Sequence, residues 1–457
     1  MGITSAFFAA TSGINATSRA LSEIGNNIAN AQTIGYKSRS VSFGDLFGAT
    51  IGGGGTSTAL VEGRGVRVLG IDPSFTQGSL QTTSNPLDLA IDGDGFFQVN
   101  DTSGNTFFSR AGQFKNDLAG NIVNSTGQIL QGYLATDGII GNALGDLQLL
   151  ITQQLGTATT TVNMSGNLKA DDLVLASPTN AALLADPGNA ANSHFSQGIR
   201  VFDSQGSGHD LTVYFTKTAP NVWDYHVIAS ASEVNAGGDI LSGGFEDLVS
   251  ENALVADGTL TFDTGGLLQA ESAINYYNSG GSGGAGIDFV TINQAPALNQ
   301  AIVFNFGTSI TENGTGSDGM IQAGSKSVVL NQSQDGFANG TLSGTSIGED
   351  GVITGTFSNG TTQILGQVAL TRFINPDGLQ PIGRNLFIQS GDSGTPLVGR
   401  PGTGAFGQVS ASTLETSNVD LGDELVNMII MQRGFQANSR IITTTNDLLG
   451  ELVNLAR

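Results

Sequence analysis

Gly391-Asp392-Ser393-Gly394-Thr395-Pro396 has the residue order of a serine nucleophile on a tight turn. Acyl transfer at such a serine needs a histidine base and a carboxylate that orients it. The three histidines, His194, His209 and His226, fall in segments that read as strands or turns, and none lies in the small-residue context expected around such a base. The motif therefore reads as a β-turn after a strand Asn385–Gln389, which Asp, Ser and Gly are enough to make. Gly314-Thr315-Gly316-Ser317-Asp318-Gly319 fits the spacing of a dinucleotide-binding turn, but that turn works only between a strand and a helix. Here Met320–Ala323 leads into another strand-like run, so the glycines mark a loop. Asp92-Gly93-Asp94-Gly95 could begin a calcium loop, yet the further oxygen ligands and closing Glu are missing, and a hairpin turn is expected. The histidines lack the spacing and carboxylate neighbours of a zinc site. Phe215, Trp223 and Tyr225 alternate with polar residues and read as strand positions facing a core, not as a sugar-binding platform. No catalytic, metal or cofactor site is expected, and the chain does not read as an enzyme.

The elements that would have to position any function are of two kinds. At 457 residues the chain should hold two to four units. Only 12% of residues are charged, about half the usual share, and 66 glycines imply many turns. A net charge of −22 argues against nucleic acid, whose phosphates need clustered Lys and Arg, and equally against anionic lipid. There is no cysteine for disulfides or thiolate metal sites. No stretch approaches a membrane span, so no membrane insertion is expected. The first cation is Arg19, so a cleaved secretory signal is not expected either.

Both ends carry apolar residues at alternating steps of four and three, the period of a coiled-coil seam. At the N-terminus the seam is Ile3, Phe7, Ala10, Ile14, Thr17, Leu21, Ile24 and Ile28. At the C-terminus it is Leu421, Leu425, Met428, Phe435, Ile442, Leu449, Val453 and Ala456. Gln432, Ser439 and Asn446 interrupt it, as polar register-setting positions do, and Asp420, Asp423 and Arg457 suit the helix dipole. Burying one narrow seam does not offset the entropy of ordering a whole helix. Each terminal helix should need cover from the other terminus or from another chain, which is how a polymerisation element behaves.

Between the ends the chain reads as β throughout, with no useful helix expected from about 36 to 411. Asn359-Gly360 between Val352–Ser358 and Thr361–Phe373 is a hairpin signature, and Asn375-Pro376-Asp377-Gly378 is another turn. The expected fold is mainly β with α-helical coiled-coil termini. A terminal helical domain would comprise 1–35 and 412–457, with a connector at 36–72 whose Gly52–Gly55 run precludes rigid local structure. An inner β domain would comprise 73–160 and 336–411, with an outer β domain, 161–335, inserted into it.

Ser22-Glu23-Ile24-Gly25-Asn26-Asn27-Ile28-Ala29-Asn30-Ala31-Gln32-Thr33-Ile34-Gly35-Tyr36-Lys37 resembles the N-terminal signature of the flagellar rod, hook and hook-associated proteins. Ser417-Asn418-Val419-Asp420 with Met431-Gln432-Arg433-Gly434-Phe435-Gln436-Ala437-Asn438 is similar to their C-terminal signature. Asn85–Phe97 and Arg110-Ala111-Gly112-Gln113-Phe114 resemble the start of the family's inner β domain. The large insert, with Val201-Phe202-Asp203-Ser204-Gln205-Gly206, Leu211–Phe215, Trp223 and Gln334-Asp335-Gly336-Phe337, resembles the outer domain of hook subunits. The stretch from about 230 to 330 matches nothing in that pattern. The resemblance implies an extracellular tube of many copies, exported unfolded through the flagellar type III apparatus and passing torque from rod to filament. It implies as partners the distal rod protein, the hook–filament junction protein and the hook cap. A stiff distal-rod subunit is the nearest alternative, and a secreted β-rich hydrolase or adhesin is the alternative of another class.

Overall fold

The computed structural model describes residues 2–46, 49–51, 60–136, 138–149, 153–234, 251–278, 281–290 and 296–455. It is mostly β, 45% strand and 17% helix. The chain divides into two compact units, Met1–Ile151 with Ser343–Thr356 and Thr362–Arg457, and Thr152–Leu342 with Phe357–Thr361.

In the first unit the two halves of the chain are laced together by short antiparallel ladders. Leu80–Thr82 pairs with Thr413–Glu415, and Leu89–Asp92 pairs with Gln408–Ala411. Phe96–Asn100 lies in a different sheet, against Thr106–Ser109, Ile129–Leu130 and Thr371–Leu370. Asp92-Gly93-Asp94-Gly95 is therefore not a hairpin turn, as expected, but a crossing from one sheet to the next. Gly93 and Gly95 have φ of 105° and 141°, conformations closed to most L-residues. The crossing is held where the Gly407 N–H donates to the Asp94 carbonyl at 2.8 Å. Phe96, Phe108, Phe373, Leu379 and Phe387 form the core beside it, with Phe75 edge-on to Phe96 and Phe387 at 5.3 Å. The hairpin at Asn359-Gly360 is present, with Val352–Phe357 against Thr362–Val368.

The segment 36–72 is more regular than its composition suggested. Arg39–Asp45 and Val66–Pro73 form an antiparallel hairpin arm, because loop-closure entropy rises only slowly with loop length. The Val66 N–H donates to Ser12 Oγ of the N-terminal helix at 3.1 Å. The Gly52–Gly55 run lies outside the described residues.

The second unit packs two sheets on one core. Phe195–Phe202, Gly208–Ala219, Val222–Ser230 and Asn252–Phe262 form an antiparallel meander. Thr161–Lys169 pairs parallel with Val303–Asn305 and Met320–Ala323, and antiparallel with Val328–Gln334. Phe215, Trp223 and Tyr225 are fully buried among Val162, Met164, Phe304 and Phe306, as strand alternation required. A six-residue helix, Asn180–Ala185, went unread in the sequence; it caps on Thr179 and buries Leu183 and Leu184 against Ile228 and Leu254. It is too short to show a period. The Gly314–Gly319 glycines form a loop that runs into the strand Met320–Ala323.

Glu271 makes this unit pH-dependent. Burial, reinforced by Glu312, raises its pKa from 4.5 to about 7. The folded state thus holds a proton that the unfolded chain releases from about pH 4.5 upward. Glu271's contribution to the stability of the unit should therefore fall as pH rises from 4.5 to 7 and level off above that, against an opposite contribution from buried His226. Melting curves of wild type and E271Q across this range should converge below pH 4.5 and separate above it; parallel curves would refute the assignment.

Candidate functional site: the paired terminal helices and their junction

Gly2–Ala29 and Leu421–Leu455 are the two long helices among the described residues. The first ends at Asn30, whose side-chain Nδ2 and backbone N–H both donate to the Asn26 carbonyl, at 2.9 and 3.1 Å. The chain then turns through Gly35 at φ 68°, where a Cβ would stand 2.5 Å from the Ala111 nitrogen. The second helix starts at Asp420, whose Oδ1 accepts the N–H groups of Gly422 and Asp423 at 2.7 and 3.2 Å, an acidic N-cap. Asp423 and Glu424 add negative charge to the first turn, where the dipole favours it. Arg457 lies outside the described residues.

The helices pack antiparallel. Gly13 faces Asn438, where an added Cβ would fall 2.6 Å from Nδ2; Gly434 faces Thr17; and Asn27 bonds Glu424. The line of contact on the N-terminal helix is Ala10, Gly13, Ala16, Ala20, Ile24 and Asn27. Small residues let the backbones approach closely, so they fix this line. Of the expected seam, Ile24 is buried and Ile14, Leu21, Ile28, Met428 and Ile442 are half-buried. Phe7, Leu421, Leu425, Phe435 and Leu449 are exposed. The side chains of Ile3 and Val453 are outside those described. Beyond the seam, Phe8 (68%), Val426 (56%), Ile429 (50%) and Ile430 (55%) are also exposed. Many of the larger apolar groups thus stay exposed in one copy, flanking a contact made mostly by small residues together with Ile24.

At the base of the pair lies a buried polar knot. Glu415 Oε1 accepts from Lys37 Nζ at 2.6 Å and from the Gly78 N–H at 2.9 Å, and Oε2 is 3.5 Å from Arg110 Nη1. Lys37 Nζ also donates to the Thr76 carbonyl at 2.7 Å, and Arg110 stacks on Phe96 at 5.3 Å. Burial pulls the Lys37 ammonium below its ordinary pKa, with Glu415 opposing, and it acts on Arg110 in the same direction. Asn418 Oδ1 accepts the Ser38 N–H at 2.7 Å while its Nδ2 donates to the Ser74 carbonyl at 2.9 Å. Asn27 ties three segments: Nδ2 donates to the Arg39 carbonyl and to Glu424 Oε1, both at 2.8 Å, and Oδ1 accepts from the Arg39 N–H and the Tyr36 hydroxyl. These residues tie the end of the first helix and the start of the second to the neighbouring β segments.

None of them was singled out from the sequence as a site. Lys37, Arg110, Asn27 and Asn418 lay in the recognised signatures, and in a chain with so few charges a Lys and an Arg inside such motifs are the signal that could have marked them. Replacing Asn27 with Ala removes four bonds from a buried group, so N27A should cost about 2–4 kcal/mol. Amide exchange at the start of the C-terminal helix should accelerate with it; unchanged protection there would refute the tie.

The chemistry-like motifs have local explanations. Ser393 is buried, and its hydroxyl donates to the Ser390 carbonyl at 3.0 Å and accepts the Ser390 N–H at 2.9 Å. The three histidines belong to the other unit. His194 Nδ1 accepts the Lys217 N–H, His209 lies between Asp203 and Glu233, and burial lowers the pKa of His226. Among the described residues no helix is long and apolar enough to cross a membrane.

Comparison with known proteins bears on this arrangement. Residues 8–37 match the family model described as flagella basal body rod protein, and 410–455 the one described as flagellar basal body rod FlgEFG protein C-terminal. Residues 90–170 match the flagellar hook protein FlgE/F/G D1 domain, and 167–337 the flagellar basal body protein FlaE D2 domain. A solved Helicobacter pylori flagellar hook protein, FlgE2, overlaps 74% of this chain and 100% of its own at 15% identity, with a TM-score of 0.46, which adds nothing to the assignment. Flagellar hook proteins FlgE are far nearer in sequence. That of Salmonella typhimurium is 35% identical over 453 residues, covering 98% of this chain and 99% of the relative, and that of Treponema pallidum is 33% identical over 474, covering 98% and 99%. That of Escherichia coli K12 is 36% identical over 455 residues, covering 98% of this chain and 100% of the relative. The chain belongs to the flagellar hook protein FlgE family.

Proposed function

We propose that copies of this chain assemble through their terminal helices into the curved, flexible tube of the flagellar hook, which carries torque from rod to filament. One observation carries the reading: large apolar side chains of the helix pair, Phe8, Leu425, Val426, Ile429 and Ile430 among them, are left half or more exposed in a single copy. Exposed apolar surface of this extent marks an interaction surface, and a second copy offers matching stripes. The helical domain of 1–35 and 412–457 would line the inner tube. The β domain of 73–160 and 336–411 would form the middle shell, and the insert of 161–335 the outer one. A bending tube must shorten its inner side and lengthen its outer side. Apolar seams in the inner tube tolerate small sliding, and Gly-, Ser- and Asn-rich outer faces make wet contacts that can slip. The arm within 36–72 and the segment near Leu414 would absorb the angular change.

The distal rod protein, junction protein, cap and type III export apparatus are the partners that go with this role, with export without a cleaved signal. No catalytic activity belongs to it. Electron microscopy of the purified chain after induced polymerisation tests the reading. Curved, supple tubes are expected; straight rods would shift it to the distal rod, and no polymer under any condition would overturn it.

A further inference from the structure

We propose that a recess lined by Arg39 and Arg384 receives an acidic side chain of a second copy of this chain; the inference rests on the polymer reading above. The recess is a cavity of about 210 Å³ bordered by Asn26, Asn30, Tyr36, Arg39, Arg384 and Asn385, with Lys37 also in its lining. No Asp or Glu lines it, although the chain carries 39 acidic residues against 17 Lys and Arg. Lys37 is committed to Glu415. Arg39 and Arg384 make no ion pair among the described residues. Glu23 and Glu424 act on the neighbouring Tyr36 but do not line the recess, and Glu424 is held by Asn27.

The backbone gives a second, independent reason. Arg384 and Asn385 form the turn between Gln380–Gly383 and Leu386–Ile388, and both have φ of 56°. Two-residue hairpin turns with positive φ at both positions favour Asn-Gly, and Arg is poorly suited to this conformation. The turn is held in place at Asn385, whose Nδ2 donates to the Ile34 carbonyl at 2.8 Å and whose own carbonyl accepts the Ser109 hydroxyl at 2.8 Å. Asn or Gly at 384 would serve the turn better; what Arg adds is a guanidinium at the rim of the recess. A backbone outlier that its surroundings hold in place points to function.

A guanidinium presents a planar fork that matches a carboxylate in two parallel hydrogen bonds, and the Asn26 amide, which borders the recess, can add a donor. Successive copies in an open helical polymer meet through unlike faces. A cationic recess on one face therefore calls for an acidic group on a different face, and a chain of net charge −22 is well supplied with them.

The test compares full-length wild type with R39Q/R384N, Asn being chosen because it accepts positive φ. Critical concentrations for assembly are read by sedimentation at low and high salt, with circular dichroism to check the fold. Salt screens the recess contact along with the repulsion between copies of net charge −22, so the recess is read from the difference between the two proteins. The double variant should need roughly tenfold more than wild type at low salt, and that ratio should shrink at high salt. A folded variant that assembles at the wild-type concentration with the wild-type salt dependence overturns the recess alone. A wild type that never assembles overturns the polymer reading, and the recess with it.

Discussion

Replacing Phe435 or Ile430 with Asp is expected to leave the single chain folded and abolish its polymers. Ile430 is 55% and Phe435 38% exposed in one copy, so a carboxylate at either position reaches water, with the smaller cost to the monomer at Ile430. In the proposed polymer the same position would be covered. Losing the burial of one such side chain forfeits about 1.5–3 kcal/mol, and a desolvated, unpaired carboxylate adds several more. At about 1.4 kcal/mol per tenfold, the critical concentration should rise by a factor on the order of a thousand. Ile24→Asp should abolish polymers too, by another route. Ile24 is buried between the helices of one copy, so this change should also lower the helical signal of the isolated chain. The contrast distinguishes an outward face from an inward one. Native-looking tubes from F435D and I430D, seen by electron microscopy, would sink the assignment of that surface.

Glu415→Gln should be the most destabilising conservative change in the first unit. It keeps shape and leaves Lys37 and Arg110 buried without their counter-charge. Breaking a buried ion pair on one side costs about 3–5 kcal/mol. In a unit of this size that is roughly 6–20 °C in melting temperature. The triple change K37M/R110M/E415L removes all three charges together, and it should recover much of the loss, because apolar replacements for buried ion clusters are often neutral or better. Calorimetry should show the first unit's transition moving down in E415Q while the second unit's stays. A melt of E415Q within a degree or two of wild type would mean that the knot holds nothing together. With the knot loosened, the helices lose their fixed direction from the β body, so assembly should weaken even where the fold survives.

Residues that act on near neighbours could be read without coordinates. The 3.5-residue period announced both helices, Asp420 announced where the second begins, and Asn359-Gly360 announced its hairpin. Phe215, Trp223 and Tyr225 declared themselves core by alternating with polar neighbours. Each signal is carried by residues a few positions apart, the range over which backbone geometry repeats.

Signals that depend on distant partners were not readable. Asp92–Gly95 looked like a hairpin because strand-like runs flank it, yet Leu89–Asp92 pairs with residues more than 300 positions later. Both ends showed apolar stripes, but which line of each helix would be buried depended on Gly13 meeting Asn438 and Gly434 meeting Thr17. That is a property of the pair and cannot be read from either helix alone. The sequence by itself determined that the ends are amphipathic helices around a β body, since periodicity is local. Only the tertiary structure decided that the contact runs along small residues with Ile24 and leaves many large ones exposed, and that Lys37 finds Glu415 across 378 positions. Close approach and charge pairing are settled by distances in space, which chain separation does not encode.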